Sequence, residues 1–212
     1  MTGRRKPFSS TVRGLKTDKV LAEDLERTVI ERARNGDASA ARQIYDRYSR
    51  YLAATCARFL PDPSDQNDVL QDSFVKIFTS LDKFEFRGDG SFKAWMRQIS
   101  VNEALKLLRK RRQSVFVKLE YDLPEDIPDE VEEEMDVGDV PGQVLNEMIG
   151  DLPEGYRTVL NLFAFEQMSH REIGRQLGIS ESTSASQLHR ARVLLTQKIK
   201  DYRKKIKDKN ER

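Results

Sequence analysis

The chain has 212 residues, of which 38% are hydrophobic and 34% charged, and its formal net charge is +2 at pH 7. This length allows one large domain or two small ones, with small cores and a charged surface. Cys56 is the only cysteine, which excludes an intramolecular disulfide and a multi-cysteine zinc cluster. The start of the chain is polar and basic, and no apolar run approaches the roughly 20 residues of a membrane helix. We therefore expect a cytoplasmic protein without membrane insertion.

The nearly neutral sum of charges hides an uneven distribution. Basic residues cluster near the start, around residues 106–112, and again from residue 198 onward. Between them lies one acidic block, Glu120–Asp139, which contains no lysine or arginine. Basic ends around an acidic centre indicate separate partners for separate segments.

The pattern of helices and breaks predicts an all-α fold of two small helical domains joined by a flexible acidic linker. The acidic segment has no hydrophobic period and contains Pro124, Pro128 and Pro141, which is typical of a linker. Fully extended, its roughly 30 residues would span about 100 Å. The predicted segments are a disordered basic extension (1–19), a first domain (20–112), the linker (113–142), a second domain (143–200) and a basic tail (201–212).

The clearest helix of the first domain is predicted over Gln66–Leu81. Its apolar residues recur at helical spacing, which predicts a stripe that faces the core. They are Leu70, Phe74, Ile77, Phe78 and Leu81. The other face is either a solvated surface or an acidic docking face with one apolar spot for a protein partner. It carries Asp68, Gln71, Asp72 and Val75.

A glycine-rich loop, Arg87–Gly90, precedes a second long helix that is predicted over Ser91–Arg112 and capped by Ser91. Aromatic rings beside cations suit single-stranded nucleic acid, whose bases stack on rings at about 1–3 kcal/mol each. The alternative is that the rings form ordinary core, and we expect this for most of them, with the loop as the functional part. The rings in question are Phe84, Phe92 and Trp95.

The segment Ser169–Leu195 has the pattern of a helix-turn-helix. Ser169 and Glu172 have the spacing of a capping box, Gly178 supplies a left-handed stop, and Ser180 is placed to cap the next helix. Ile173 and Leu177 share one face of the first helix, and Leu188, Ala191 and Leu195 form the inner face of the second. In this motif the second helix enters the major groove of DNA.

These motifs, in this order, resemble one family. The segments ARNGDASAARQIYDRY, DVLQDSFVKIFTSLDKF and GSFKAWMRQISVNEALKLLRKRR resemble domain 2 of an extracytoplasmic-function (ECF) sigma factor of the sigma-70 family. The segment LPEGYRTVLNLFAFEQMSHREIGRQLGISESTSASQLHRAR resembles domain 4 of the same family. Each motif alone is moderately specific, but their combination and spacing are highly specific.

The resemblance implies that the chain directs bacterial RNA polymerase core to promoters, recognises the −35 and −10 elements and melts the DNA. It implies that the face of Asp68, Gln71, Asp72 and Val75 binds core polymerase. It also implies a pocket for a base extruded from the downstream element, which costs a few kcal/mol of unstacking. The residues implied there are Phe86, Arg87, Gly88, Trp95, Arg97, Asn102 and Lys106. Asn102 lies among apolar residues, so a satisfied core amide is an equal alternative.

The resemblance assigns recognition of the upstream element to the second helix of the helix-turn-helix. The residues implied are Thr183, Ser184, Ser186, Gln187, His189, Arg190 and Arg192. Glutamine can pair with adenine, and arginine with guanine or a phosphate. Many relatives have lysine or arginine where this chain has Ala185, and glycine where it has Ser182. The start of the helix is therefore short of long side chains, and we predict weak upstream readout.

The resemblance also places the linker in the polymerase channels, where the acidic run Asp129–Glu134 could mimic phosphate charge. It implies an anti-sigma protein or a second recruiting factor as a further partner. The alternatives are a stand-alone helix-turn-helix regulator, an adaptor that only binds polymerase, and an enzyme. No enzyme, metal or cofactor is expected, because His170 and His189 lack metal-ligand spacing and Arg87–Gly90 lacks the Gly-Lys-Ser/Thr ending of a P-loop.

Overall fold

The computed structural model of the chain describes residues 25–115 and 136–210. Every regular element within these two stretches is helical, which confirms the all-α prediction. The predicted basic extension and the acidic run Asp129–Glu134 lie outside the described residues. The helices are α1 (25–34), α2 (Ala38–Phe59), α3 (Pro63–Thr79), α4 (Ser91–Val115), α5 (Gly142–Gly150), α6 (Glu154–Ala164), α7 (His170–Leu177) and α8 (Glu181–Asn210), with a 3-10 turn at Leu81–Lys83.

The chain divides into two compact units. Among the described residues, the first unit comprises 25–52 and 70–100, and the second comprises 53–69, 101–115 and 136–210. The division runs through α2, α3 and α4. The last part of α2, the first part of α3 and the last part of α4 group with α5–α8. No helix in the described stretches combines the length and the apolarity needed to cross a bilayer.

The starts of α2 and α3 follow from local capping. The Asp37 carboxylate accepts hydrogen bonds from the backbone N–H groups of Ser39 (2.8 Å) and Ala40 (3.1 Å), and so caps α2. Asp62 accepts from the N–H of Ser64 at 2.8 Å, and Pro63 occupies the first position of α3, where its missing N–H costs nothing. The predicted start of this helix at Gln66 is therefore wrong, because the Asp62 cap and Pro63 begin the helix three residues earlier.

The core of the first unit is aromatic and aliphatic. Its buried residues come from α1, α2, α3, the 3-10 turn and α4, and Leu70 and Phe78 are partly buried against it. The predicted stripe of α3 therefore faces this core, although Leu81 lies in the 3-10 turn rather than in the helix. The buried residues are Ile30, Ile44, Tyr48, Leu52, Phe74, Ile77, Leu81, Phe84, Phe92 and Met96.

The second unit packs α6 and α7 against the long helix α8. Val159 and Leu162 of α6, Ile173 of α7, and Ala191 and Leu195 of α8 are fully buried. α8 continues to Asn210, so most of the predicted basic tail is helical. Arg203 in this extension donates to Asp139 at 2.9 Å and to Asp136 at 3.0 Å, which ties the described end of the linker to α8.

Candidate nucleic-acid and polymerase interfaces

The predicted docking residues of α3 are all exposed. Asp68, Gln71, Asp72 and Val75 are spaced three and four residues apart, so they share one side of the helix. The Val75 side chain is 64% exposed, whereas Phe74 beside it is 4% exposed. On this side of α3 one exposed apolar side chain therefore stands among two carboxylates and an amide.

The loop before α4 is held by the hydroxyl of Ser91. This hydroxyl donates to the Gly88 carbonyl at 2.6 Å and accepts from the Arg87 N–H at 3.2 Å. Ser91 is the first residue of α4, and the Gly90 carbonyl accepts from Ala94 N–H at 2.9 Å. The predicted capping role of Ser91 is therefore wrong, because its side chain closes the loop instead. Gly88 has φ +106°, which favours glycine there.

Most of the aromatic rings near the loop are core, as expected. Phe84 is 5% and Phe92 0% exposed, with ring centroids 5.0 Å apart. Trp95 is half-buried and stacks on Phe92 at 5.8 Å. Phe86 is also half-buried, and Arg87 is exposed. The rings near the loop that keep exposed surface are therefore those of Trp95 and Phe86.

Two arginines of α1 were missed by the sequence analysis. Arg27 places its guanidinium 6.0 Å from the Phe86 ring centroid, and Arg34 donates to the carbonyls of Leu81 (3.0 Å) and Phe84 (2.8 Å). Both arginines line a cleft of about 300 Å³ together with the Phe84–Phe86 segment. No local motif in α1 marks these arginines, because their contacts are with residues about 50 positions away in sequence.

The other predicted residues of α4 have varied surroundings. Arg97 is half-buried, and the Lys106 ammonium is exposed and pairs with Glu103 at 3.0 Å. The Asn102 Oδ1 atom accepts a hydrogen bond from the Gln176 side chain of α7 at 3.1 Å. Asn102 is half-buried. The amide is thus bonded by another element rather than satisfied within an apolar core.

The helix-turn-helix forms as its local signals predict. Ser169 and Glu172 make a complete capping box, and Gly178 ends α7 with φ +71°. The Ser180 hydroxyl accepts from the Thr183 N–H at 2.9 Å at the start of α8. Gly174 was missed. A Cβ atom there would lie 2.8 Å from the Ile179 carbonyl oxygen, so only glycine lets α7 approach the turn this closely.

Two predicted DNA contacts of α8 make contacts within the domain, and one of them, Ser184, is buried. Ser184 is 0% exposed, and its hydroxyl lies 3.0 Å from Nδ1 of His170, so it is part of the domain core and cannot reach DNA. The Gln187 side chain packs on the surface of α6, within 3.3 Å of the position that a Cβ on Gly155 would take. Its Oε1 atom is buried, and the residue as a whole is half-buried, so its assignment to DNA stays a prediction.

The other predicted residues of α8 differ in exposure and include two arginines. Thr183 and His189 are half-buried, and Ser186 is exposed but donates to the Thr183 carbonyl at 3.0 Å. Arg190 is half-buried and donates to the Tyr156 hydroxyl at 3.4 Å. Arg192 is exposed, and its guanidinium lies 5.7 Å from the Phe163 ring centroid.

Among the described residues, no group of three or more His, Cys, Asp or Glu side chains could hold a metal ion. Cys56 is 0% exposed, and burial raises the pKa of its thiol to about 11. A thiol of this kind is unreactive near neutral pH.

Comparison with known proteins agrees with these features. The sigma-70 region 2 model matches residues 44–114, and the sigma-70 region 4 model matches residues 142–195. The ECF RNA polymerase sigma factor SigW of Bacillus subtilis is 25% identical over 81% of this chain and 95% of its own length. The ECF RNA polymerase sigma-E factor of Haemophilus influenzae is 29% identical over 84% of this chain and 98% of its own. The solved structure of CnrH in complex with the cytosolic domain of CnrY is 27% identical, covers 83% of this chain and 97% of CnrH, and has a TM-score of 0.45.

A helical chain with a helix-turn-helix and a second cation-bearing surface over an aromatic core belongs to the class of DNA-binding transcription proteins. The two family matches together span more than half of this chain, and it belongs to the sigma-70 family, as a promoter-recognising sigma factor of the ECF group. Sigma factors are initiation factors rather than enzymes.

Proposed function

We propose that this sigma factor binds bacterial core RNA polymerase through the exposed face of α3 and opens the downstream promoter with the loop before α4. The helix-turn-helix then holds the upstream element mainly through phosphate contacts. The single observation that carries the proposal is the exposed Val75 set among Asp68, Gln71 and Asp72, directly over a closely packed core. Burial of the Val75 side chain against a partner would remove apolar surface from water, which favours binding.

The docking role depends on Val75 more than on its charged neighbours. Exposed ion pairs contribute little to binding, whereas an apolar side chain that becomes buried at the centre of an interface contributes strongly. The carboxylates of Asp68 and Asp72 would then select a basic surface on the polymerase and orient the encounter.

Strand opening is assigned to Phe86, Arg87, Gly88 and the half-buried surface of Trp95. A flipped base needs a ring to stack on and cations to hold the adjoining phosphates. Because Ser91 fixes the loop at Gly88, the Arg87 backbone is positioned before DNA arrives. Arg97 and Lys106 lie further along the same helix and are assigned to the backbone of the separated strand.

The upstream contact is assigned to the cations of α8. Arg192 and Arg190 bind phosphates, and Ser186, Thr183 and His189 add short-range contacts. Since Ser184 and Gln187 are engaged within the domain, little is left for direct base readout. The promoter choice then rests on the downstream element or on a second recruiting factor.

Two further parts of the proposal come from family membership alone. The acidic linker is proposed to occupy the basic channels of the polymerase, and an anti-sigma protein is proposed as a regulatory partner. Replacing the acids of Asp129–Glu134 with serine should impair initiation without changing DNA binding by the helix-turn-helix. Unchanged initiation would count against the linker proposal.

The test of the main proposal is a pull-down with bacterial core polymerase, followed by run-off transcription on genomic fragments. Val75→Asp should weaken core binding by at least about tenfold, because it places a charge in the proposed apolar contact. Leu25→Asp is the matched control, since Leu25 is 68% exposed but lies on α1 rather than on α3.

The proposal fails if the wild-type chain neither binds core polymerase nor starts transcripts at defined sites. Equal loss of binding in the Val75 and Leu25 variants would refute the assignment of α3 alone. Tight binding to a palindromic site without polymerase would instead support the stand-alone regulator.

A further inference from the structure

The helix-turn-helix domain of this chain extends beyond the part that matches the family. The region 4 model matches residues 142–195, whereas α8 continues to Asn210. On the other side of the match, the end of the linker at residues 136–141 contacts this extension of α8 through Arg203. The two additions are therefore joined to each other, and both lie outside the part of the fold that the family model covers.

Arg203 binds the end of the linker with two of its guanidinium nitrogens. Its Nε donates to both carboxylate oxygens of Asp139, at 2.9 and 3.1 Å, and its Nη2 donates to the same carboxylate. Nη2 also donates to the side chain of Asp136 at 3.0 Å and to its carbonyl at 3.1 Å. The bonds from Arg203 hold the pKa of the Asp139 carboxyl below its ordinary value. A guanidinium that engages two carboxylates and a carbonyl is more specific than a single exposed ion pair.

The end of the linker is folded into a turn that holds both carboxylates beside Arg203. Asp136 Oδ1 accepts from the Gly138 N–H at 3.0 Å, and the Val140 N–H donates to the Val137 carbonyl at 3.1 Å. The Val140 residue is only 9% exposed. One carboxylate oxygen of Asp136 closes the turn while the other binds Arg203, so the turn is coupled directly to α8.

We infer that Arg203 is a positioning residue, which fixes the point where the linker leaves the helix-turn-helix domain and thereby restricts the promoter spacings that the chain accepts. Without this anchor, residues 136–141 would become part of the tether between the two DNA-binding regions. Six extended residues reach at most about 20 Å, which corresponds to about six base pairs of B-DNA. The inference rests on the proposed function, because additional reach matters only if the polymerase holds the rest of the linker.

A restraint on reach, rather than chain entropy, gives the anchor its effect. Lengthening a flexible tether from 23 residues (113–135) to 29 residues (113–141) changes the probability of closure by a factor of only about 1.4. If the polymerase holds the linker, the added reach instead lets the helix-turn-helix bind DNA at separations that the anchored chain excludes. The expected effect is therefore on spacing preference more than on overall activity.

The experiment compares full-length variants with the wild type. Arg203→Glu breaks the anchor, and the double variant Arg203→Glu with Asp139→Arg restores a pair of opposite charges in the reverse order. Lys198→Glu is the matched control, because Lys198 lies on the same helix and pairs with Asp151, which is not part of the linker, at 3.0 Å. The side chains of Lys198 and Arg203 are both 36% exposed, and both substitutions make the same change of charge. Thermal melting checks that each variant is folded.

Two readouts are taken. The first is amide hydrogen exchange at Val140 in the free chain, and the second is run-off transcription with bacterial core polymerase from promoters whose spacer is shortened or lengthened by two base pairs. Arg203→Glu should speed exchange at Val140 about two- to tenfold. It should also raise activity on the altered spacers, relative to the natural spacer, about two- to fivefold. The double variant should return part of the way, and Lys198→Glu should match the wild type in both readouts.

The inference is overturned if a folded Arg203→Glu chain exchanges like wild type at Val140, or if faster exchange leaves the spacing preference unchanged. An equal change in Lys198→Glu would also overturn it, since the change of charge rather than the anchor would then be responsible. If the wild type starts no transcripts with core polymerase, the proposed function fails. Exchange at Val140 in the free chain still decides whether the anchor exists.

Discussion

The loop-and-helix surface of the first unit and the helix-turn-helix of the second are both assigned to DNA, but they are built differently. The first lies over large buried rings, with Phe92 fully buried and Trp95 stacked on it. The second depends on close approach of small residues, with Gly174 against the Ile179 carbonyl and Ala191 fully buried. Arg87 beside the rings is exposed, whereas Ser184 of the helix-turn-helix is buried and hydrogen-bonded to His170.

This difference bears on the proposal that the helix-turn-helix reads few bases directly. Ser169, Glu172 and Ser180 cap helices, and Ser184 bonds to His170 inside the domain. Of these residues only Ser184 is buried, and a buried hydroxyl needs its hydrogen-bond partner within the domain. We therefore expect promoter specificity to depend more on the loop-and-helix surface of the first unit.

The largest effect is expected from Phe92→Ala, which removes the centre of the aromatic core. Phe92 is 0% exposed, so the truncation should lower the free energy of unfolding by about 3–5 kcal/mol. Trp95 is the single tryptophan and stacks on Phe92, so its fluorescence during urea unfolding is a direct measure. Tyr45→Ala is the control, because Tyr45 is 44% exposed and should lose far less. Similar losses in both would contradict the aromatic-core interpretation.

The corresponding destabilising substitution in the second unit is Gly174→Ala. Its new methyl group would lie 2.8 Å from the Ile179 carbonyl oxygen, which should cost about 1–3 kcal/mol of unfolding free energy. Gly150→Ala is the matched control, because a methyl group there meets nothing within 4 Å. In the helix α5 it should be neutral or stabilise by up to about 1 kcal/mol. Thermal unfolding followed by circular dichroism measures both, and a tolerated Gly174→Ala would show that the approach is not tight.

A promoter scan compares the two surfaces as readers. Upstream base substitutions should each cost less than about 1 kcal/mol, whereas downstream substitutions should cost the 1–3 kcal/mol of ordinary direct readout. Arg192→Ala should weaken binding about equally on all sequences and lower the salt dependence by about one phosphate contact. Transcription from a set of single-base promoter variants at several salt concentrations provides the measurement.

Ser184→Ala serves as the control for that scan. Because Ser184 is buried and bonded to His170, its removal should lower domain stability without altering the order of preferred bases. A changed base preference in this variant would restore Ser184 as a DNA contact. Upstream penalties as large as the downstream ones would likewise disprove weak readout by α8.

The parts that the sequence predicted well are those governed by near neighbours. The capping box of Ser169 and Glu172, the stop at Gly178 and the stripe of Leu188, Ala191 and Leu195 all depend on spacings within one or two turns. The same rule could have found the burial of Ser184. It lies one helical turn before Leu188 on that stripe, whereas the resemblance to the family assigned it to DNA.

The parts that were missed depend on contacts between distant segments. Asn102 and Gln176 are 74 residues apart, and Asn161 lies 103 residues from the Arg58 carbonyl that it caps. No periodicity links such pairs, since their meeting depends on how helices pack. Gly174 was missed for the same reason, because a close approach to the next turn is visible only in three dimensions.

The smallest expected effect tests whether the polar residues of the helix-turn-helix support its fold. The Glu172 carboxylate accepts from the Ser169 hydroxyl at 2.7 Å and from its N–H at 2.8 Å, and these bonds hold the pKa of Glu172 below its ordinary value of 4.5. A carboxylate with a lowered folded-state pKa stabilises the fold above the unfolded pKa, and that stability is lost as the pH falls through the folded value.

The melting temperature of Glu172→Gln should therefore lie slightly below that of wild type near neutral pH, and the gap should close as the pH falls below about 4.5. Glu181→Gln is the matched control, since Glu181 lies in the first turn of α8, where Ser180 supplies the cap. This variant measures the loss of a first-turn carboxylate that takes no part in a capping box. A gap for Glu172→Gln that is independent of pH would show that the capping box does not stabilise α7 through its charge, and the contrast between the two surfaces would then rest on packing alone.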